Sequence, residues 1–243
     1  MSQSVRRAAR IIDSIAENPR TVMELAAEFG IHRSTMFREL QALEDVGYAR
    51  RRKDGSYALG PHLVSLSQAA FDNLDLREAS YRHIRKLHAE VGQTIHLAAL
   101  MENSIVYVDK VESSNGVHMY SRIGKAVVPY CSGVGKAILA ELNDRDRDRV
   151  LDGTEWEKFT ATTLTSRAAL DRELAVIRER HWAADRGEYD ELVNCVAVPI
   201  MSSVGVLGAL SVTSIRMVQD LEELKSRIPL IRKTAELISR ELG

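Results

Sequence analysis

The feature that most constrains the fold of this sequence is a pair of helical patterns separated by one glycine, Gly30, within the first 46 residues. Thr21 and Glu24 have the spacing of a capping box, which predicts a short helix that begins after Thr21 and ends at Gly30. Another helix is predicted from about His32 to Val46, because apolar side chains recur along it at Phe37, Leu40, Leu43 and Val46. Small Ala26 allows close packing, so the segment is predicted to be a helix-turn-helix.

Elements on either side of this segment extend it into a larger module. An earlier helix is predicted to end at Asn18-Pro19, because proline disfavours helix in the residue before it and because apolar residues recur at Val5, Ala8, Ala9, Ile12 and Ile15. Two short strands are predicted between Tyr48 and Leu59, around the tight turn Asp54-Gly55. Four consecutive basic residues, Arg50 to Lys53, precede that turn. This hairpin is therefore a candidate wing that reaches phosphates or a minor groove.

The N-terminal half of the later helix carries side chains suited to DNA. In a helix-turn-helix this half enters the major groove, and here it offers His32, Arg33, Ser34, Thr35 and Arg38. Arginine binds guanine O6 and N7 or a phosphate, and hydroxyl groups reach either bases or phosphates. The alternative is a three-helix packing unit whose arginines only solvate its surface. The basic wing favours DNA binding over that alternative, whereas the small excess of basic residues in positions 1–60, ten against eight acidic ones, is weak evidence.

The rest of the sequence predicts a second, larger domain. A connecting helix is predicted from Pro61 through Phe71, and another helix from Leu76 to Val91. Segments rich in β-branched residues predict strands at 94–100, 105–111, 117–123, 193–201 and 205–213. Further helices are predicted near 135–142, along the repeat of Leu170, Leu174, Ile177 and His181, and at 221–238. Helices at both edges of a run of hairpin strands indicate an α+β fold with a mainly antiparallel sheet.

Several classes of protein are excluded by features that the sequence lacks. The three arginines of the first ten residues are followed by no apolar segment of a secretory signal, and the apolar stretch 193–212 is broken by Pro199 and several polar residues, which predicts two strands and a turn. Cys131 and Cys195 have no partners at metal-site spacing, so no metal and no cofactor is expected. Tyr130 and Ala137 stand where a nucleotide-binding P-loop needs Gly and Ser or Thr. A cytoplasmic protein that spans no membrane is expected.

These motifs resemble the IclR family of bacterial transcriptional regulators. The likeness lies in Ser4-Val5-Arg6-Arg7-Ala8, in GIHRSTMFRELQALEDVGYARR (30–51), in DGSYALG (54–60) and in three later segments at 124–142, 163–200 and 205–213. It implies a winged helix-turn-helix DNA-binding domain at 1–60, a helical linker at 61–75, and a GAF-like α/β domain for effector binding and oligomerisation at 76–243. It also implies a ligand-responsive regulator of a metabolic pathway, more often a repressor, that binds double-stranded promoter DNA as a homodimer or as a dimer of dimers.

The resemblance further implies which residues bind each partner. Contacts to DNA are expected from Arg6, Thr21, His32, Arg33, Ser34, Thr35, Arg38, Arg51, Arg52 and Lys53. A small-molecule effector, with organic acids as one candidate class, is expected at Met119, Val127, Gly133, Val134, Asp185, Val193, Cys195 and Ser211. Asp185 repels a carboxylate unless it is protonated or paired, so a ligand that offers a hydroxyl or an amine is the alternative. Tyr189-Asp190-Glu191-Leu192 departs from the family pattern, which has a glycine there.

Two other functions fit parts of the sequence. An enzyme with residues 75–243 as its catalytic domain needs a nucleophile, for which Cys195 with His96 or His181 is the only candidate. A lone cysteine inside an apolar strand is usually a buried packing residue, so no catalytic residue and no enzymatic activity is predicted. A scaffold protein whose winged helix binds another protein is the third reading. Partner binding that survives Arg33→Ala with Arg38→Ala, together with failure to find any DNA site, would favour the scaffold.

Overall fold

A computed structural model describes residues 3–72, 75–113 and 121–242, with the backbone alone described at 68–72. The chain divides into two compact units, Met1–Asn73 and Leu74–Gly243. The helices and strands of each unit are described separately. Among the described residues, no helix is both long enough and apolar enough to cross a lipid bilayer.

The smaller unit contains four helices and a two-stranded hairpin in the described residues. They are α1 (Gln3–Glu17), α2 (Val22–Glu28), α3 (Arg33–Asp45), β1 (Ala49–Arg51), β2 (Tyr57–Leu59) and α4 (His62–Asp72). The capping box is confirmed, since the Thr21 side chain accepts from the Glu24 N–H and the Glu24 carboxylate accepts from the Thr21 N–H. Gly30, between α2 and α3, has φ +62°, a conformation that L side chains rarely adopt.

The core of the smaller unit corrects one part of the predicted pattern of α3. Met36, Leu40 and Leu43 are buried, whereas Phe37 and Val46 are 39% and 54% exposed. The predicted set, 37, 40, 43 and 46, advances by three residues at each step and therefore drifts around a helix of 3.6 residues per turn. The observed spacing of four and then three keeps one face against the core. On α1, Ile11 and Ile15 are buried four residues apart, whereas Val5 of the predicted pattern is 69% exposed.

The larger unit contains a five-stranded antiparallel sheet in the order β4-β3-β7-β6-β5. Its elements are α5 (Asp75–Val91), β3 (Thr94–Met101), β4 (Ser104–Val111), a 3-10 turn (Pro129–Cys131), α6 (Gly133–Glu141), α7 (Asp144–Val150), α8 (Arg167–Arg180), β5 (Ala183–Arg186), β6 (Val193–Ser202), β7 (Gly205–Ile215), α9 (Leu221–Lys225) and α10 (Ile228–Leu242). The predicted α+β class with an antiparallel sheet is confirmed.

Helices cover both faces of this sheet. Gly133 at the start of α6 lies against Cys195 and Ala197 of β6, and α8 packs on α6 in the same apolar cluster. Leu76 of α5 approaches Gly208, whose position on β7 belongs to the opposite face. The helix α10 packs on α5. A cavity of the larger unit lies on the α6 face.

The larger unit departs from the sequence prediction at five places. The closing helix is two helices, α9 and α10, separated by Ser226 and Arg227. His181 lies outside α8, where it ends the helix in a left-handed conformation with φ +57°. The short elements β5 and α7 were not predicted. Of the predicted strand at 117–123, residues 117–120 lie outside the described residues and 121–123 are not a strand.

Candidate nucleic-acid interface and ligand cavity

Contacts on the inner sides of α3 fix the orientation of the helix and therefore determine which of its side chains are exposed. The buried side chains of Met36 and Leu40 fix its inner face, and Glu39 accepts hydrogen bonds from the guanidinium of Arg7 on α1. His32 caps the helix, because its Nδ1 accepts from the Ser34 N–H at 3.3 Å. These contacts leave Arg33, Ser34 and Arg38 exposed. Thr35 is half-buried, on a different side of the helix.

The exposed arginines of α3 lie away from the carboxylates of the described residues. Among the described residues, no hydrogen bond or ion pair involves the side chain of Arg33 or Arg38. In contrast, Arg7 and Arg20 lie against the carboxylates of Glu39 and Glu28. A surface with unpaired guanidinium groups suits phosphates and guanine edges.

The wing forms as predicted around Asp54-Gly55. The Asp54 carboxylate accepts from the Ser56 N–H at 3.0 Å and from the Ser56 hydroxyl at 2.6 Å, and these bonds lower the pKa of Asp54. Gly55 has φ +83°, which favours glycine at this corner. Arg51, Arg52 and Lys53 are all exposed. Arg52 differs from the other two because its guanidinium lies 3.9 Å from Asp54, which offsets part of its charge.

The two remaining predicted DNA contacts have different surroundings. Arg6 is exposed on α1. The Thr21 hydroxyl, however, donates to the Glu24 carboxylate at 2.8 Å and accepts from the Glu24 N–H at 3.3 Å. It is therefore occupied by the capping box of α2.

A cavity of about 160 Å³ lies on the α6 face of the sheet in the larger unit. Six residues of the predicted effector set line it, namely Gly133, Val134, Asp185, Val193, Cys195 and Ser211. Val127 does not line it, because its side chain packs in the apolar cluster beneath α6. Met119 lies outside the described residues. Lining residues that the sequence analysis did not assign to the site include His96, Tyr107, Lys125, Ser132, Tyr189, Asp190, Leu192 and Thr213.

The floor of the cavity is a polar band across four strands. Thr213, Cys195 and Asp185 are consecutive cross-strand partners on β7, β6 and β5, and Ser211 of β7 pairs with His96 of β3 in a neighbouring row. Paired residues of antiparallel strands share one face, so these side chains converge. His96 and Thr213 were not predicted as lining residues, because alternation along one strand does not reveal which strands lie beside it.

Asp185 is the buried acidic group of this band. It is 6% exposed, and one of its carboxylate oxygens accepts from the Glu188 N–H at 2.7 Å. Burial, and after it the neighbouring Glu188 carboxylate, raises the pKa of Asp185 from 3.8 to about 7. Near neutral pH this side chain is therefore present both as a neutral acid, which donates a hydrogen bond, and as an anion.

The thiol and the imidazole in the cavity are poorly suited to nucleophilic catalysis. Burial, followed by the charge of Asp185, raises the pKa of Cys195 to about 12. Burial and then Lys110 lower the pKa of His96 to about 3, and its nitrogens lie 3.2 Å from the Thr213 hydroxyl and 2.7 Å from the Ser121 hydroxyl. His181 is not among the residues that line the cavity. A catalytic cysteine needs a lowered pKa, which is the opposite of what is found.

Glycines at the start of α6 allow close packing of the protein on itself. A Cβ on Gly133 would lie 2.8 Å from the Cys195 sulfur, and a Cβ on Gly135 would lie 2.5 Å from the Pro129 carbonyl oxygen. Gly133 was predicted to contact the effector, and no role was predicted for Lys136. In the structure the Lys136 ammonium lies 2.5 and 2.6 Å from the two Glu188 oxygens, with both side chains buried.

The ion pair of Lys136 and Glu188 anchors the loop 187–192, which closes one side of the cavity. Threonine hydroxyls reinforce this anchor, since Thr160 donates to the Gly187 carbonyl at 2.6 Å and Thr163 donates to the Glu188 carbonyl at 2.6 Å. Tyr189 then packs on Phe159 with ring centroids 4.7 Å apart. A single lysine inside the apolar segment GVGKAILA was the signal that predicts such a buried pair.

Two family models match the chain. The IclR helix-turn-helix domain matches residues 4–53, and the C-terminal domain of bacterial transcriptional regulator IclR matches residues 68–240. The chain is 33% identical to the HTH-type transcriptional regulator KdgR of Escherichia coli, over 99% of this chain and 92% of that protein.

Solved structures share the fold. The IclR of Thermotoga maritima is 30% identical, with a TM-score of 0.80 over 98% of each chain. An IclR homologue from Microbacterium hydrocarbonoxydans, solved with 4-hydroxybenzoate, is 23% identical, with a TM-score of 0.83 over 99% of each chain, and this likeness concerns the fold.

Proposed function

The chain belongs to the IclR family of bacterial transcriptional regulators, and from this premise we propose that it is a repressor controlled by an effector in the cavity beneath α6. The observation that carries the DNA-binding part is the exposed face of α3, where Arg33 and Arg38 have no partner among the described residues. The wing adds Arg51 and Lys53 beside the phosphates that flank a major groove. Such a protein acts on chromosomal DNA, in the cytoplasm.

The cavity limits the size of the effector. Its volume of about 160 Å³ is similar to an engineered protein cavity of about 150 Å³ that binds benzene. The site therefore suits a molecule with a single ring or a short carbon chain. A member of the same fold was solved with 4-hydroxybenzoate, which is a compound of this size.

The chemistry of the cavity favours a hydroxy acid. The first turn of α6 begins at Gly133 on the cavity wall, and free N–H groups at a helix start attract an anion. Asp185 needs a ligand group that donates a hydrogen bond, or it must itself be protonated. A molecule with a carboxylate at one end and a hydroxyl at the other satisfies both requirements.

We also propose that two copies act together. Val64 and Leu66 of α4 are 69% and 43% exposed in the single chain, and a second copy of the chain is the partner that suits these apolar side chains. Two copies place two α3 helices in successive major grooves. The effector changes DNA affinity only to the extent that it binds one arrangement of the two DNA-binding domains better than the other.

The test is fluorescence-anisotropy binding to DNA from the upstream region of the protein's own gene, against scrambled DNA, at two salt concentrations. Arg38→Ala is expected to weaken specific binding by about 1–3 kcal/mol, and Lys53→Ala to reduce the dependence on salt. Arg145→Ala is the matched control, because Arg145 is exposed in the larger unit. Equal affinity of wild type and Arg38→Ala for the specific DNA contradicts the proposal.

We propose that the larger unit binds its effector without transforming it. The raised pKa of Cys195 and the lowered pKa of His96 support this, because neither group has the protonation state of a catalytic pair. Incubation with hydroxy acids followed by mass spectrometry tests the point. Turnover that is lost in Cys195→Ala contradicts it.

A further inference from the structure

An aromatic side chain lies between two arginines on the exposed face of α3. Five residues with larger side chains are exposed along the helix's first three turns, namely Arg33, Ser34, Phe37, Arg38 and Gln41, and small Ala42 is exposed as well. With about 100° between successive residues, these five positions span an arc of about 140°, and Phe37 lies about 40° from Arg33. Phe37 is 39% exposed and does not belong to the buried cluster of the smaller unit.

Packing within the smaller unit does not explain this position. Met36, Leu40 and Leu43 are buried on a neighbouring side of the helix, and Phe37 is not among the residues that form this core or pack against it. Exposing a large aromatic ring forgoes burial that is favourable by roughly 25 cal/mol for each Å². An external partner that covers the ring recovers this free energy.

The charges around Phe37 restrict the class of that partner. Arg33 and Arg38 flank it on the same face, without an ion pair in the described part of the chain. The partner therefore combines negative charge with an apolar group that a helix face can reach. In the major groove of DNA the apolar group on the base edges is the thymine 5-methyl, and phenylalanine is among the residues that contact it.

We propose that Phe37 is a specificity-determining residue that contacts the 5-methyl group of a thymine in each half-site. The inference rests on the proposed DNA binding by α3 and adds to it a base preference at one position. In this arrangement the two arginines contact guanine edges or phosphates, and Phe37 contacts an A·T base pair between them.

The experiment begins with selection of bound sequences from a random duplex DNA library by the full-length protein. Each thymine of the selected site is then replaced singly by deoxyuridine, which lacks only the methyl group. Replacement of the contacted thymine is expected to weaken binding of the wild type about threefold to tenfold, as loss of one buried methyl predicts. Phe37→Ala is expected to bind thymine and deoxyuridine sites equally, and Phe37→Leu to retain part of the difference.

Two control variants separate this contact from general effects. Arg38→Ala is expected to bind more weakly but to keep the full difference between thymine and deoxyuridine. Met23→Ala removes another exposed apolar side chain, on α2, and is expected to behave as wild type. Circular dichroism of Phe37→Ala checks that this exposed substitution leaves the fold intact.

The outcomes distinguish the inference from the function on which it rests. If a site is selected but no deoxyuridine replacement weakens binding, or if Phe37→Ala keeps the difference, the role of Phe37 is overturned while DNA binding by α3 stands. If the library yields no preferred sequence, both the role of Phe37 and the proposed sequence-specific function fail.

Discussion

The buried ion pair of Lys136 and Glu188 gives the sharpest test of the energetics of the larger unit. Their side chains are 0% and 4% exposed. Removal of one partner leaves an uncompensated buried charge, which typically costs about 3–5 kcal/mol. We therefore expect Lys136→Met and Glu188→Gln each to lower the free energy of unfolding of this unit by that amount. The double variant Lys136→Met/Glu188→Met is expected to recover most of the loss, because well-packed apolar side chains can replace a buried pair.

The assay uses urea unfolding followed by tryptophan fluorescence. Both tryptophans, Trp156 and Trp182, belong to the larger unit, so the signal is specific to it. At a fall of roughly 2–4 °C per kcal/mol, the thermal midpoint of each single variant is expected to drop by about 6–20 °C. Arg149→Met is the control, because its ion pair with Asp146 is exposed on both sides and contributes about 0–1 kcal/mol.

The two single variants are expected to shift the pKa of Asp185 in opposite directions. The Glu188 carboxylate raises the pKa of Asp185, whereas the Lys136 ammonium lowers it. Lys136→Met should therefore raise this pKa further and Glu188→Gln should lower it, as carbon-13 NMR of the carboxyl can measure. Single-variant losses below about 1 kcal/mol, or a double variant as unstable as the sum of the two, refute the reasoning about the buried pair.

Three further predictions concern other sites. Folded Asp185 keeps its proton up to about pH 7, whereas the unfolded chain loses it near 3.8, so the contribution of this carboxyl to stability falls as pH rises through that window. Asparagine at this position does not titrate, so Asp185→Asn should be as stable as wild type near pH 4 and more stable by a few kcal/mol at pH 8. Urea unfolding at the two pH values measures this, and a difference in stability that does not change with pH contradicts it. Gly133→Ala should destabilise the larger unit by about 1–3 kcal/mol, since its Cβ meets the Cys195 sulfur at 2.8 Å, and Cys195→Ala should partly rescue it; no rescue would place the strain elsewhere. Thr21→Ala should cost the smaller unit about 1 kcal/mol through the lost cap of α2, detected as about fivefold faster amide exchange there, and unchanged exchange would show that the cap contributes nothing.

The helices and long strands could be predicted because their signals are local. The capping box at Thr21, the glycines that follow α2 and α3, and the β-branched runs of β3, β4, β6 and β7 lie within a few residues of what they determine. Short elements have weaker local signals. The strand β5 has four residues and exists because it pairs with β6, and α7 has few apolar residues to mark it.

The candidate sites were predictable to different extents. Positions lining the cavity could be inferred from family resemblance, but the joining of Asp185 to Cys195 and Thr213 depends on strand order, which periodicity does not encode. The pair of Lys136 and Glu188 joins residues 52 positions apart. Phe37 was assigned to the core because apolar character alone does not distinguish a packing residue from one that faces a partner.

The strand order also has a consequence for synthesis of the protein on the ribosome. β7 lies in the middle of the five-stranded sheet but is the last strand to be made, about 140 residues after the end of α4. At roughly 5–20 residues per second, translation of that interval takes about 7–30 s. The core of the smaller unit lies wholly within residues 11–57 and can fold during this time. A growing chain therefore carries a folded helix-turn-helix unit for many seconds before the sheet of the larger unit can close.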